Sequence, residues 1–116
     1  MRVSNRKLNR TLQKQVEKTF IQLLADLKEP KEIEVFLRDF LTHSEYETFA
    51  KRLAVVYWLK KGRSYSNIKE NLKVSSATIA TVQSQMETAG MELALKKLEA
   101  EEWASQWSQK IQKFIK

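Results

Sequence analysis

The sequence predicts an all-α protein with about six helices, folded as a single helical domain over residues 1–116. Apolar residues recur at steps of three and four along most of the chain, which is the spacing of one face of an α-helix. The chain has only two glycines and one proline, so few positions interrupt a helix. The alternating apolar and polar pattern of a β-strand does not occur in the sequence. Together these observations favour helices joined by short turns.

The first predicted helix spans residues 5–28 and has an apolar face and a basic face. The apolar stripe consists of Leu8, Leu12, Val16, Phe20, Leu23 and Leu27. The basic face carries Arg2, Arg6, Lys7, Arg10, Lys14 and Lys18, against Glu17. Such a face is typical of a helix surface in solvent, and the alternative is a basic arm that contacts phosphates.

Two helices are predicted in the middle of the chain. Pro30 can begin the second helix, because proline fits the first turn. Ser44 and Glu47 have the spacing of a capping box, which predicts that the third helix begins near Ser44. Gly62 lies at its predicted end, as a glycine C-cap. The predicted inward residues are Ile33, Phe36, Leu37, Phe40 and Leu41 in the second helix, and Phe49, Leu53, Val56 and Leu59 in the third.

Residues 64–86 have the pattern of a helix-turn-helix. Ser64 can cap a short helix that Ile68 and Leu72 hold to its neighbour. The predicted turn is Lys73-Val74-Ser75, and Ser75 or Ser76 caps the next helix. That helix has Ile79, Val82 and Met86 on its inner face, and Gly90 is predicted to close it. A last helix from about Met91 carries Leu95, Leu98, Trp103, Trp107, Ile111 and Phe114.

Composition narrows the function classes. The formal net charge of +7 suggests a polyanionic partner. The chain has no cysteine, which rules out disulfides and thiolate metal sites and suits a cytoplasmic protein. The apolar run at residues 53–59 is too short to span a bilayer. His43 is the only histidine, and no metal cluster, phosphate loop or nucleophile motif accompanies it, so the sequence does not predict an enzyme.

The stretch LTHSEYETFAKRLAVVYWLKKGRSYSNIKENLKVSSATIATV, residues 41–82, resembles the Trp repressor superfamily. It is most similar to the small Trp-repressor-related proteins of the YerC/YecD type. The residues that carry the resemblance are Leu41-Thr42, Glu45, Arg52-Leu53, Gly62, Tyr65, Ile68 and Ser75-Ser76-Ala77-Thr78-Ile79. The resemblance implies an intertwined homodimer that binds double-stranded DNA as a transcriptional regulator, with one helix-turn-helix in each of two successive major grooves.

The resemblance also implies which residues face DNA. The groove face of the second motif helix would present Ser75, Ser76, Ala77, Thr78, Ala80, Thr81 and Gln83. Gln83 could form a bidentate pair with adenine, and Thr78 could contact a base. The cations expected to contact phosphates are Lys60, Lys61, Arg63, Lys69 and Lys73.

Three positions depart from common helix-turn-helix patterns. Lys69 stands where many such proteins have alanine, although the Trp repressor also accepts a lysine there. Lys73 stands where glycine is usual, and a positive φ would cost on the order of 1 kcal/mol. At the implied ligand site, Thr42 and Arg52 are accompanied by Thr81, which replaces an arginine. Because Thr81 carries no charge, the sequence favours no cofactor and argues against control by tryptophan.

Two alternatives remain open from the sequence. The fold could serve as a helical protein-interaction module that has lost specific DNA binding. The C-terminal stretch WASQWSQKIQKFIK could lie in a membrane interface, whereas a role in a dimer core is favoured, since Glu99, Glu101 and Glu102 precede it.

Overall fold

Six α-helices make up the described part of the chain. The computed structural model describes the backbone of residues 6–115 and the side chains of residues 6–102. The helices are α1 (Arg10–Asp26), α2 (Pro30–Phe40), α3 (His43–Lys60), α4 (Tyr65–Leu72), α5 (Ser76–Ser84) and α6 (Ala89–Ile115). No strand occurs among residues 6–115, so the all-α fold class is confirmed. The side chains of the C-terminal aromatic stripe and the N-terminal Arg2 lie outside the described residues.

The chain divides into two compact units, Met1–Tyr46 and Glu47–Lys116. In the first unit, the ring centroids of Phe20 and Phe40 are 5.9 Å apart, and those of Phe36 and Phe40 are 5.0 Å apart. The Arg38 guanidinium lies 4.7 Å from the centroid of the Tyr46 ring. The single domain over residues 1–116 stays a prediction.

α1 begins later than the sequence predicts. Its first residue is Arg10, because the side chain of Asn9 accepts hydrogen bonds from the backbone N–H groups of Thr11 (2.8 Å) and Leu12 (3.4 Å). Leu8 therefore precedes the helix. The apolar stripe is exposed at Leu12, Val16, Phe20 and Leu23, with Val16 at 52 %, whereas Leu27 at its end is half-buried.

The core of the second unit unites four helices. Its buried side chains are Val55 and Val56 of α3, Ile68 of α4, Ile79 and Val82 of α5, and Leu95 of α6. The half-buried residues packed against it are Trp58, Leu59, Leu72, Val74, Met86 and Met91. Each core helix thus contributes one or two aliphatic side chains, and this cluster fixes the angle at which α4 and α5 meet.

The predicted start of α3 and its inward face need correction. The capping box is formed by Thr42 and Glu45 rather than by Ser44 and Glu47. The Thr42 N–H donates to Oε1 of Glu45 (2.8 Å), and the Glu45 N–H donates to the Thr42 hydroxyl (3.0 Å). Since α3 turns its Val55 side toward the core, Phe49 and Leu53 are exposed, and Val55 is buried.

Gly90 does not close α5. α5 ends at Ser84, and the carbonyls of Val82, Gln83 and Gln85 accept short-range backbone hydrogen bonds that form a turn. α6 then begins at Ala89, so Gly90 is its second residue. No helix in the described part of the chain is long and apolar enough to cross a membrane.

Candidate nucleic-acid interface

α4 and α5, joined by a short turn, form the helix-turn-helix, and α5 ends at Ser84, before Met86. The Ser64 hydroxyl accepts a hydrogen bond from the Asn67 N–H (3.1 Å) and caps α4. The Ser75 hydroxyl accepts one from the Thr78 N–H (3.1 Å), so Ser75, and not Ser76, caps α5. Ile68, Ile79 and Val82 are buried between the helices, which leaves the opposite side of α5 to solvent.

The turn between the two helices contains a left-handed lysine. Lys73 has φ 57° and ψ 49°, and it is the only non-glycine residue with positive φ in the described part of the chain. A residue with a Cβ in this region costs on the order of 1 kcal/mol relative to glycine. The C-cap of α4 therefore has the common left-handed conformation, but it is occupied by Lys73 where glycine is usual, and the lysine backbone is strained.

The small side chains at the start of α5 are exposed. The exposed members of the predicted groove face are Ser75, Ser76, Ala77, Thr78, Ala80, Thr81 and Gln83. Their short side chains would let the helix backbone approach a groove closely.

Several polar groups on this face already have partners within the protein. The hydroxyl oxygens of Ser75 and Thr78 are 2.9 Å apart, and the Thr81 hydroxyl donates to the Ala77 carbonyl (3.0 Å). Oε1 of Gln83 accepts a hydrogen bond from the hydroxyl of Tyr65. Tyr65 could not be predicted as a site residue, because a contact between two residues 18 positions apart on different helices leaves no local signal in the sequence.

The predicted phosphate-contacting cations fall into two groups. Lys60, Lys69 and Lys73 are exposed around the motif. Lys61 and Arg63 are held by neighbouring side chains. Nζ of Lys61 lies 2.7 Å from a carboxylate oxygen of Glu102, and the Arg63 guanidinium lies 4.0 Å from the centroid of the Trp58 ring.

Arg63 is also fixed by a hydrogen bond. Its Nη1 donates to Oδ1 of Asn67 (3.2 Å), in addition to the contact with the Trp58 ring. The Arg63 guanidinium is therefore oriented by contacts within the protein, whereas the ammonium of Lys61 forms an ion pair with Glu102.

The Glu102 carboxylate is the centre of a three-residue cluster. The ammonium of Lys61 and the hydroxyl of Tyr57 both donate to it, which lowers the pKa of Glu102. The hydrogen bond to Glu102 raises the pKa of Tyr57 and that of Lys61. The cluster joins the end of α3 to α6 and leaves Lys61 less available to a phosphate than Lys60.

A cavity of 560 Å³ lies beside the start of α5. Arg52 and Thr81 both line it, together with Lys51 and Lys73, whereas Thr42 belongs to the first compact unit. The Thr42 hydroxyl instead accepts the capping bond of α3. No acidic residue is among those that line the cavity, so its charge suits an anionic group such as a phosphate or a carboxylate.

Comparisons with known proteins agree with this geometry. The model of the family described as Trp repressor protein matches residues 15–100. The crystal structure of a TrpR-like protein from Eubacterium eligens ATCC 27750 is similar, with a TM-score of 0.71 and 27% sequence identity. The similarity covers 78% of this chain and 96% of that chain. No curated protein matches the sequence.

Members of this family are helix-turn-helix DNA-binding regulators and not enzymes. The family match covers well over half of the chain and includes all of α2–α5. The chain therefore belongs to the Trp repressor protein family.

Proposed function

We propose that this protein is a homodimeric, sequence-specific transcriptional regulator of the cytoplasm, repressor-like in action, that inserts α5 into the major groove of double-stranded DNA. The single observation that carries the proposal is the exposed start of α5. Small side chains cover this end of the helix, while Ile79 and Val82 hold its other side in the core. A helix presented in this way can approach base edges without displacing any core residue.

The charges around the motif support the same function. Lys69 lies on α4 and Lys73 in the turn, and both are exposed close to α5. Lys60 is exposed at the end of α3, and Arg63 is oriented by its neighbours. These cations can position the protein on the phosphate backbone, whereas the α5 side chains, which include no lysine or arginine, contact bases. Affinity is therefore expected to be largely electrostatic and to weaken with salt.

The exposed apolar residues of α1 support a homodimer. Val16, Phe20 and Leu23 are 52 %, 42 % and 40 % exposed. A contiguous apolar stripe on a soluble protein marks a surface that another surface covers. A second copy of the chain is the partner that a two-fold arrangement of helix-turn-helix units requires.

Tryptophan is not expected to control this protein. Thr81 lines the cavity with Arg52, but its hydroxyl bonds to the backbone of its own helix and it carries no charge. An indole ligand would therefore meet no charged group from α5.

A second candidate function is a protein-interaction module without specific DNA binding. The occupied hydroxyls of Ser75 and Thr81 and the ion pair of Lys61 favour it, since they reduce the groups that are free to contact DNA. The regulator requires the exposed Lys69 and Lys73 to contact DNA, whereas the interaction module does not.

The discriminating experiment is fluorescence anisotropy with labelled DNA. It compares the upstream region of the gene with a scrambled duplex at two salt concentrations, with and without tryptophan. The double variant Lys69→Ala, Lys73→Ala is expected to lose most of its affinity and to reduce the salt slope by about 2 per protomer. The matched control Lys96→Ala, Lys97→Ala removes the same charge from exposed positions of α6.

The outcomes separate the candidates. Tighter binding to the upstream duplex, lost in the motif variant and kept in the α6 control, supports the regulator. Equal and weak binding to both duplexes, affected alike by both double variants, contradicts it and favours the interaction module. A response to tryptophan contradicts the expectation drawn from Thr81.

A further inference from the structure

The charges of the first compact unit are divided between two regions. Residues 6–18 carry five cations and one acidic residue, whereas residues 19–46 carry three cations and six acidic residues. Three cations of the first region, Arg10, Lys14 and Lys18, lie on α1 at intervals of four residues. The unit therefore has a positive region at the start of α1 and an excess of acidic residues in the rest of its sequence.

These three residues, the basic row of α1, lie on one face of the helix. Residues four positions apart are neighbours on a helix surface, about 6 Å apart along its axis. All three side chains are exposed, and none forms an ion pair with a residue that the structure describes. By contrast, Lys31 and Arg38 of α2 both lie against the Glu34 carboxylate, at 3.4 and 3.9 Å. The cations of α2 are thus partly neutralised, and those of the basic row are not.

The basic row is electrostatically unfavourable for α1 itself. Like charges four residues apart on a helix repel each other. Arg10, in the first turn, also lies at the positive end of the helix dipole. That turn contains no acidic residue to offset these effects. A bound polyanion would relieve both of them, so the arrangement is unfavourable in the protein alone and favourable beside a chain of phosphates.

The apolar stripe of α1 lies on the side of the helix opposite the basic row. The Phe20 ring packs against the Phe40 ring, with 5.9 Å between their centroids, and the proposed homodimer covers the exposed part of the stripe. A helix in a membrane interface needs its apolar face for the lipid. Because the apolar face of α1 is used within the protein, the basic row fits a dissolved polyanion better than a lipid surface.

We propose that the basic row of α1 is a second DNA-binding surface, which contacts the phosphate backbone of a duplex without reading its sequence. The row is about 12 Å long, and one strand of a duplex presents a phosphate about every 3.4 Å along its axis. The row can therefore face several consecutive phosphates. The inference rests on the proposed function for the identity of the partner, but it uses another surface, since α4 and α5 belong to the second unit.

The test is fluorescence anisotropy with the full chain and two labelled duplexes, one selected from a random library by the wild type and one scrambled. The triple variant Arg10→Gln, Lys14→Gln, Lys18→Gln removes the charges of the row and keeps a high helix propensity. It is expected to bind the scrambled duplex about tenfold more weakly at low salt and to reduce the salt slope by about 3 per protomer. Its preference for the selected duplex over the scrambled one is expected to stay unchanged.

The same unit offers a matched control. Lys28→Gln, Lys31→Gln, Arg38→Gln lowers the net charge by the same amount at exposed positions outside the basic row, and it is expected to keep most of the affinity. Lys14→Arg preserves a charge of the row and is expected to bind as the wild type does. Equal losses in the two triple variants would mean that only the net charge matters, and would overturn the inference.

Thermal unfolding separates lost binding from damage to the helix. Because the basic row is unfavourable for α1, its triple variant is expected to unfold at the same temperature as the wild type or at a higher one. Circular dichroism measures this midpoint. Weaker DNA binding together with a lower midpoint would show that the row supports the fold, and would overturn the inference.

The failure of this inference can be told apart from the failure of the proposed function. An α1 triple variant that binds both duplexes as the wild type does overturns the inference and leaves the DNA-binding function intact. A wild type that selects no sequence, yet binds the scrambled duplex through the basic row, supports the inference and overturns the sequence-specific regulator. If the wild type binds vesicles of phosphatidylserine and phosphatidylcholine, and the α1 variant loses this binding but keeps its DNA affinity, the row belongs to a membrane contact and the inference is overturned.

Discussion

Lys61 and Glu102 form an ion pair of 2.7 Å that connects the end of α3 to α6 across 41 positions of sequence. The Tyr57 hydroxyl donates to the same carboxylate. Both partners of the ion pair are partly exposed, at 41% and 34% of their side-chain surface. The contact is therefore accessible to protons and to salt, and it anchors the middle of the long α6 to the end of α3.

Glu102→Gln is expected to lower the thermal unfolding midpoint near neutral pH. The pKa of Glu102 is lowered from 4.5, so its contribution is present above pH 4.5 and is lost as the pH falls through the folded-state pKa. The pKa values of Lys61 and Tyr57 are raised from 10.5 and 10.0, so their contributions are present below those values and are lost as the pH rises through the folded-state values. The difference in thermal unfolding midpoint between Glu102→Gln and the wild type should thus be largest above pH 4.5 and below pH 10.0.

Calorimetric unfolding at about pH 3, 7 and 11 checks this dependence. Glu101→Gln serves as the control, because Glu101 is an exposed neighbour with the same charge. An equal destabilisation by both variants, or one that does not shrink at acidic pH, would contradict the assigned role of the Glu102 carboxylate.

Lys73→Gly is expected to stabilise the fold and to weaken DNA binding. Glycine adopts the left-handed backbone at φ 57° without strain, which should raise the free energy of unfolding by about 1 kcal/mol. The same change removes a cation beside α5. Lys73→Ala provides the comparison, since it removes the charge and keeps the strain. Chemical denaturation and anisotropy measure the two effects, and a destabilised glycine variant would show that the lysine side chain contributes more than its backbone costs.

Ser75→Ala is expected to destabilise the protein by about 1 kcal/mol, since the Thr78 N–H loses its capping acceptor. Ser76→Ala changes the adjacent residue to the same side chain and is expected to have little effect, because Ser76 lies inside the helix and is exposed. Urea denaturation of both variants measures the difference. Equal values would mean that the cap is not formed by Ser75 in solution.

Val16→Asp is expected to dissociate the proposed homodimer, because it introduces a charge into the exposed apolar stripe of α1. Lys18→Asp changes the basic face of the same helix, and it is expected to leave the assembly intact. Sedimentation equilibrium over a range of concentrations distinguishes the two. A wild type that sediments as a monomer at every concentration would contradict the dimer itself.

Local signals predicted the features that a few neighbouring residues determine. The caps at Ser64 and Ser75 and the C-cap at Gly62, which has φ 83°, were predictable because each depends on its own turn. Gly90 misled the prediction for the opposite reason. A glycine allows a helix to end but does not require it. α5 ends before Gly90 because the carbonyls of Val82, Gln83 and Gln85 accept the short-range backbone hydrogen bonds of a turn.

Contacts between distant residues could not be predicted from one sequence. The bonds from Tyr65 to Gln83 and from Tyr57 to Glu102 depend on how helices cross, which periodicity does not specify. Phe49 is exposed for a similar reason. The apolar face of α3 is wider than the part of that helix which the core covers. The membership in the Trp repressor family is confirmed, whereas the finer resemblance to the YerC/YecD type stays a prediction.

The Arg63 guanidinium lies over the ring of Trp58, which itself packs against the core of the second unit. Indole fluorescence depends on nearby charge and on contact with water, so Trp58 can serve as an intrinsic fluorescent probe of this site. In a variant whose sole tryptophan is Trp58, withdrawal of Arg63 toward a phosphate would change the emission intensity, while loss of the core would shift its wavelength. Capture of DNA and unfolding of the motif could then be followed separately, without a label, from a single fluorophore.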